Sequence, residues 1–203
     1  MDRIYFITHK TDKYSYLDSA KLALDCGIRL IQLRMKHSQE SEILKTAYTL
    51  REECEKYKAK LIINDNSEIA FEIGANGVHI GQNDEAISLV RNKIRENQII
   101  GMTCNTKEQI HQACNQKADY IGLGPYRFTN TKENLSPVLG IEGYRDLKCD
   151  VPIYAIGGIR LEDVEKLSQT SVYGIAISSM LLESKEPEKL IKELRNYFKE
   201  LRK

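Results

Sequence analysis

Short β-branched runs alternate with helical patterns along the whole chain, and this rhythm limits the fold more than any single motif. The strand-like runs are Ile4–Thr8, Ile28–Leu33, Lys60–Ile63, Gly77–Ile80, Ile99–Thr103, Tyr120–Leu123, Pro152–Ile156 and Val172–Ile177. Each is followed by a helix or a helix-like segment. Leu17–Cys26 is predicted to be a helix closed by Gly27, and Ser67–Ile73 a short one ended by Gly74. After Ser38, a candidate cap, the apolar positions Ile43, Leu44, Ala47, Leu50, Cys54 and Tyr57 recur at helical spacing. Further helices are predicted at Glu85–Ile94, Thr106–Asn115 and Glu162–Leu167. A final stripe runs Leu190, Ile191, Leu194, Tyr197, Phe198, Leu201. Strict alternation predicts a parallel sheet with helical crossovers. Dividing 203 residues by eight leaves about 25 for each strand–helix unit, enough for a short strand, a helix and two tight loops. The expected fold is therefore α/β: one single-domain (β/α)8 TIM barrel over residues 1–203, compact, with a long loop after strand six. An open doubly wound sheet is the alternative.

Composition narrows the function classes. With 30 Lys plus Arg against 29 Asp plus Glu, the net charge is +1, so no broad basic surface for nucleic acid is expected. No apolar stretch approaches the roughly 18 residues of a membrane span, and the opening MDRIYFITHK lacks the pattern of an export leader. The cysteines Cys26, Cys54, Cys104, Cys114 and Cys149 are odd in number and form no CxxC pair. They read as reduced thiols of a cytoplasmic protein.

In such a barrel, chemistry gathers at the carboxyl ends of the strands. Beyond strand two, Gln32, Arg34 and Lys36 alternate and so share one face, which suits a polyanion; solvent-facing charge is the competing reading. Asp65 follows strand three and Asp84 follows strand four. Singly, each suits the cap or first turn of the next helix. As a pair beside cations, with no His or Cys cluster, they suit a hard cation such as Mg²⁺. The Gly124–Ile141 loop is the longest in the chain and carries Arg127, Thr129, Thr131 and Lys132. Gly157-Gly158 after strand seven and Ile177-Ser178 after strand eight suit a backbone cradle for phosphate; close packing against a helix is the rival explanation of the glycines. The spacing thus predicts two anion-binding zones. His79 reads as structural, and His9, His37 and His111 form no ligand set.

These motifs together resemble one family. Q-L-R-M-K (Gln32–Lys36), I-N-D-N (Ile63–Asn66), G-V-H-I-G-Q-N-D (Gly77–Asp84), G-P…T-N-T-K (Gly124–Lys132), A-I-G-G-I (Ala155–Ile159) and the Ile177-Ser178 end are similar to thiamine phosphate synthases, in order and over nearly the whole chain. The resemblance implies a (β/α)8 enzyme that joins a hydroxymethylpyrimidine diphosphate to a thiazole phosphate, releasing pyrophosphate and giving thiamine monophosphate. It implies that Gln32, Arg34, Lys36 and Asn64 hold the pyrimidine diphosphate, that Asp65 and Asp84 ligate Mg²⁺, and that Lys132 contacts the diphosphate. Thr129 and Thr131, with Gly158, Ile177 and Ser178, would hold the thiazole phosphate. The implied reaction is dissociative: diphosphate leaves first, and the thiazole nitrogen captures the resulting pyrimidine cation.

The chain departs from the family pattern in places. Thr103 and Asn105 stand where Ser and His are usual, with Thr103 keeping the hydroxyl expected to touch substrate. His9 stands where Asp is common. Arg127-Phe128 replaces Phe-Pro, leaving Arg127 either an anion contact or a solvent-facing charge. The expected partners are small molecules, with the oligomeric state left open. The rival functions are a thiazole tautomerase-like barrel and a non-catalytic phosphate-binding sensor. Neither would need the full cationic set together with both aspartates.

Overall fold

The computed structural model describes residues 1–129 and 136–198. Eight strands close into one parallel barrel in sequence order, and this closure excludes the open sheet. They are β1 (Ile4–Ile7), β2 (Leu30–Leu33), β3 (Lys60–Asn64), β4 (Gly77–Ile80), β5 (Ile99–Cys104), β6 (Tyr120–Leu123), β7 (Ile153–Ile156) and β8 (Gly174–Ile177). The barrel is sealed where β1 pairs with β8, with Tyr5 opposite Ala176. The helices are α1 (Tyr16–Asp25), α2 (Glu40–Lys56), α3 (Ser67–Glu72), α4 (Ile87–Lys93), α5 (Lys107–Asn115), α6 (Leu161–Ser168), α7 (Ser179–Leu182) and α8 (Pro187–Tyr197). A single 3₁₀ turn, Glu142–Tyr144, occupies the helical position between β6 and β7.

Local chemistry explains most boundaries. Ser15 caps α1 by accepting from the Asp18 N–H at 3.1 Å, and Gly27, at φ 90°, carries the chain out of it. Thr106 does the same for α5 through the Gln109 N–H at 3.2 Å. One expectation is corrected, and the rival capping reading of two aspartates is set aside. Gln39, not Ser38, stands at the N-cap of α2, with no side-chain cap bond. Asn66, not Asp65, caps α3, accepting from the Ile69 N–H at 2.8 Å. Asp84 does not cap α4, whose N-cap is Ala86; it turns back to accept from the Gly81 N–H at 2.6 Å. Neither aspartate caps a helix, which leaves both for another use.

The core has two layers. Outward-facing strand residues such as Ile31, Leu33, Ile63 and Val78 pack beneath the helices. Inside the barrel, Tyr5, Tyr120 and Tyr154 meet edge to face with centroids 5.4–5.9 Å apart, joined by Leu30 and Ile62. Gly101 makes room for this plug, since a Cβ there would lie 2.0 Å from the Tyr120 ring. The aromatic layer fills the barrel and leaves the cavity above it open.

The cysteines are corrected in part. Cys114, near the end of α5, is bonded to Cys149 in the segment before β7, with Cα atoms 6.8 Å apart across a sequence separation of 35. Cys26, Cys54 and Cys104 are free, and burial pushes the Cys54 and Cys104 thiols up to about 12. An odd count and wide spacing carry no information on a pair that only the folded chain brings together.

Candidate active site

A cavity opens at the carboxyl ends of the strands, and most of the residues singled out from sequence line it. From β2 come Gln32 and the following Arg34 and Lys36, so the alternation expected of an inward face holds. Their neighbours Ile31, Leu33 and Met35 belong to the core under the helices. Thr8 fixes the strand end, accepting from the Arg34 N–H at 2.9 Å. Burial lowers the Arg34 guanidinium from its ordinary value, and the nearby Asp65 carboxylate opposes that shift.

Asn64 and Asp65 enter from β3, and Asp84 from the turn after β4. Asp65 adopts φ 64° and lies 3.5 Å from the Lys36 Nζ. Its carboxyl is held above the usual aspartate value, chiefly by burial and next by the Asp84 carboxyl against it; Lys36 only partly offsets this. Two oxygen donors forced together and partly desolvated fit a hard divalent cation, which would relieve their repulsion. Among the described residues, no group of three or more His, Cys, Asp or Glu is placed to hold a metal. An ion here would therefore complete its shell with water or substrate oxygens.

The opposite wall is built from backbone. Gly157 and Gly158 follow β7 at φ 94° and 66°, a region that favours glycine. A Cβ on Gly158 would lie 2.6 Å from the Phe128 carbonyl oxygen, so this pair packs against the loop after β6 rather than against a helix. Ile177 and Ser178 complete the wall, and Thr129 reaches it from the loop after β6. The Ser178 Oγ is buried and has no hydrogen-bond partner among the described residues. A buried hydroxyl left in this state suits a ligand oxygen. Thr131 and Lys132 lie outside the described residues.

Thr103 lines the floor, where its hydroxyl lies 2.9 Å from the His79 Nε2. Sequence reasoning read His79 as structural. Its side chain does engage protein groups at both nitrogens, yet it also lines the cavity, as does Tyr5. The alternation of β1 and β4 was the signal that could have identified both as inward-facing. Asn105, standing in place of the family's His, donates from Nδ2 to the Gly124 carbonyl and so ties the end of β5 to the loop after β6.

Arg127 is engaged by a carboxylate of the protein itself. Its Nε donates to Asp163 Oδ2 at 2.8 Å, and a second nitrogen donates to Oδ1. The Arg160 N–H and the Tyr126 hydroxyl donate to the same carboxylate at 2.9 and 3.4 Å. Burial pushes the Asp163 carboxyl up, but the bonds from Arg127 and the Arg160 amide outweigh it and hold it below the usual aspartate value. This fork pins the start of the loop to α6.

A family model described as thiamine monophosphate synthase matches residues 4–181. The chain is 44% identical over 200 residues to the thiamine-phosphate synthase of Phocaeicola vulgatus, covering 95% of this chain and 96% of that one. It is 45% identical over 179 residues to the enzyme of the same name from Flavobacterium johnsoniae, covering 85% and 84%. The solved thiamine phosphate pyrophosphorylase of Pyrococcus furiosus superposes with a TM-score of 0.84 at 30% identity, covering 98% of this chain and 96% of that one. By sequence over its whole barrel and by fold, the chain belongs to the thiamine monophosphate synthase family.

Proposed function

We propose that this cavity joins 4-amino-5-hydroxymethyl-2-methylpyrimidine diphosphate to a thiazole phosphate, giving thiamine monophosphate and pyrophosphate. The observation that carries the reading is the division of one cavity into two unlike anion-binding walls. Arg34, Lys36, Asp65 and Asp84 line one, and Gly158, Ile177 and Ser178 the other. One wall suits a diphosphate with Mg²⁺, the other a phosphate monoester.

When bound by Asp65 and Asp84, Mg²⁺ would supply charge neutralisation to the diphosphate oxygens. The protein's own groups account for the rest. Arg34 and Lys36 sit where negative charge gathers as the C–O bond to diphosphate breaks, and they stabilise it without reorganising. Gln32, Asn64 and Thr103 fix the pyrimidine so that its electron-rich ring can bear the positive charge left on the exocyclic carbon. The thiazole nitrogen then forms the new C–N bond. The reaction on this reading requires that water be kept from that carbon until the nitrogen attacks. No general base is needed, because the nitrogen that attacks carries no proton.

Thr129 and Thr131 belong with the thiazole phosphate in this reading, and Lys132 with the diphosphate. Lys132→Ala is expected to lower turnover more than it weakens thiazole phosphate binding. A thiazole tautomerase or a precursor sensor would have no use for a desolvated carboxylate pair beside Arg34 and Lys36, since binding alone requires no leaving-group stabilisation. On this reading we assign the reaction to the cytoplasm. The test is to mix both substrates with Mg²⁺ and follow pyrophosphate. Release only when both are present is the expected result; release from the pyrimidine diphosphate alone, or none, overturns the proposal.

A further inference from the structure

At the cavity floor a chain of buried polar groups runs from Gln32 on β2 to Thr103 on β5. Gln32 donates from Nε2 to the Tyr5 hydroxyl at 2.6 Å, and the Tyr5 and Tyr120 hydroxyls lie 2.8 Å apart. The Tyr120 hydroxyl is 3.1 Å from the His79 Nδ1, and the His79 Nε2 is 2.9 Å from the Thr103 hydroxyl. The links come from β1, β2, β4, β5 and β6, so the chain crosses the barrel interior. Tyr5, Tyr120 and Gln32 are each at most 1% exposed, so their donors are satisfied chiefly by one another.

Counting protons fixes a direction. The Gln32 amide nitrogen has only hydrogens to offer, so the Tyr5 oxygen accepts there. The Tyr5 hydrogen must then go to Tyr120, because the reverse order would bury it with no acceptor among its bonded neighbours. Tyr120 in turn donates to the His79 Nδ1. A neutral imidazole that accepts at Nδ1 carries its hydrogen on Nε2, and that hydrogen goes to the Thr103 oxygen. The Thr103 hydrogen is left to point into the cavity. Burial pushes the Tyr5 and Tyr120 phenols well above their ordinary value, so both keep their protons throughout the working pH range.

We propose that Tyr5, Tyr120 and His79 are positioning residues that form a one-way hydrogen-bond relay, set in direction by the Gln32 amide, which presents the Thr103 hydroxyl to the substrate as a donor. The relay rests on the function proposed above for its effect on turnover, but not for its existence. In physical terms it converts a hydroxyl that would rotate freely into a donor of fixed polarity, matched to a lone pair on a heteroaromatic ring and mismatched to an N–H at the same place.

The experiment has two arms. In the first, ¹⁵N NMR of the histidine side chains is recorded on the whole protein, with the His79 signal identified by its loss in His79→Gln. The expected result is the neutral tautomer protonated at Nε2 in the wild type, changing to a mixture in Tyr120→Phe. A His79 protonated at Nδ1 overturns the relay, because the chain then runs the other way. This arm needs no turnover, so it stands even if the proposed reaction fails. In the second arm, Tyr120→Phe is expected to lower kcat/KM for the pyrimidine diphosphate by about tenfold, the scale of one oriented hydrogen bond, while KM for the thiazole phosphate is unchanged. A purely structural Tyr120 would lower the melting temperature and leave both kinetic values in place, and that result overturns the positioning role. If Tyr120→Phe does not fold, the wild-type tautomer alone decides.

Discussion

The two walls of the cavity are built from different materials. The wall from β2 to β4 is made of charged side chains: Arg34 and Lys36 against the Asp65–Asp84 pair. The wall from β7 to β8 is made largely of backbone, with two left-handed glycines and the buried Ser178 hydroxyl, unpaired among the described residues. Both suit phosphate, but by opposite means. Side chains supply full charges already set where charge develops, which suits a leaving group. Backbone supplies fixed dipoles that hold an anion which does not react. The contrast divides the labour between a wall that should govern turnover and one that should govern binding.

Substitutions that touch only one wall can break this division. The largest effect is expected on the charged side. Asp84→Ala, at saturating Mg²⁺, should cost on the order of 100-fold or more in kcat, measured as pyrophosphate release. Near-normal turnover would remove the aspartate pair from the chemistry. Next in size is a change outside both walls. Reducing the Cys114–Cys149 bond, or replacing Cys114 by Ser, should lower unfolding stability by about 2–4 kcal/mol in denaturant titrations. Affinities for both substrates should be unchanged, which separates loss of scaffold from loss of either wall.

Gly158→Ala comes third. The added Cβ meets the Phe128 carbonyl at 2.6 Å in a backbone conformation that alanine disfavours. The cradle must shift, and KM for the thiazole phosphate should rise about tenfold with a smaller change for the diphosphate substrate. The smallest effect is expected at the loop anchor. Asp163 has a depressed folded-state value, so its stabilisation is complete above the unfolded value of about 4 and is lost as pH falls through the folded one. Asp163→Asn should therefore cost about 1 kcal/mol at neutral pH and flatten the acid limb of a stability–pH curve. An unchanged acid limb would show that the Arg127–Asp163 fork carries no charge-dependent stability.

The same contrast explains what could be read from the sequence. The eight strands were legible because each is a short β-branched run between turn signals, and Gly77–Ile80 and Tyr120–Leu123 coincide with the structure. The charged wall was legible because alternation alone puts Gln32, Arg34 and Lys36 on one face. The cap of α3 was not legible because Asp65 and Asn66 are adjacent and either side chain can serve; in the structure Asp65 takes the left-handed turn and Asn66 caps. The relay and the disulfide were hidden for a shared reason. Tyr5–Tyr120 and Cys114–Cys149 are contacts between distant segments, fixed by barrel register and helix docking rather than by local pattern.

The most direct test of the two-wall account is calorimetric titration of each substrate separately into the wild type and Arg34→Ala, with Mg²⁺ present. The expected result is a loss of at least about tenfold in affinity for the pyrimidine diphosphate, as befits a charge-assisted contact, with the thiazole phosphate affinity unchanged. Equal weakening of both substrates, or of neither, would contradict it.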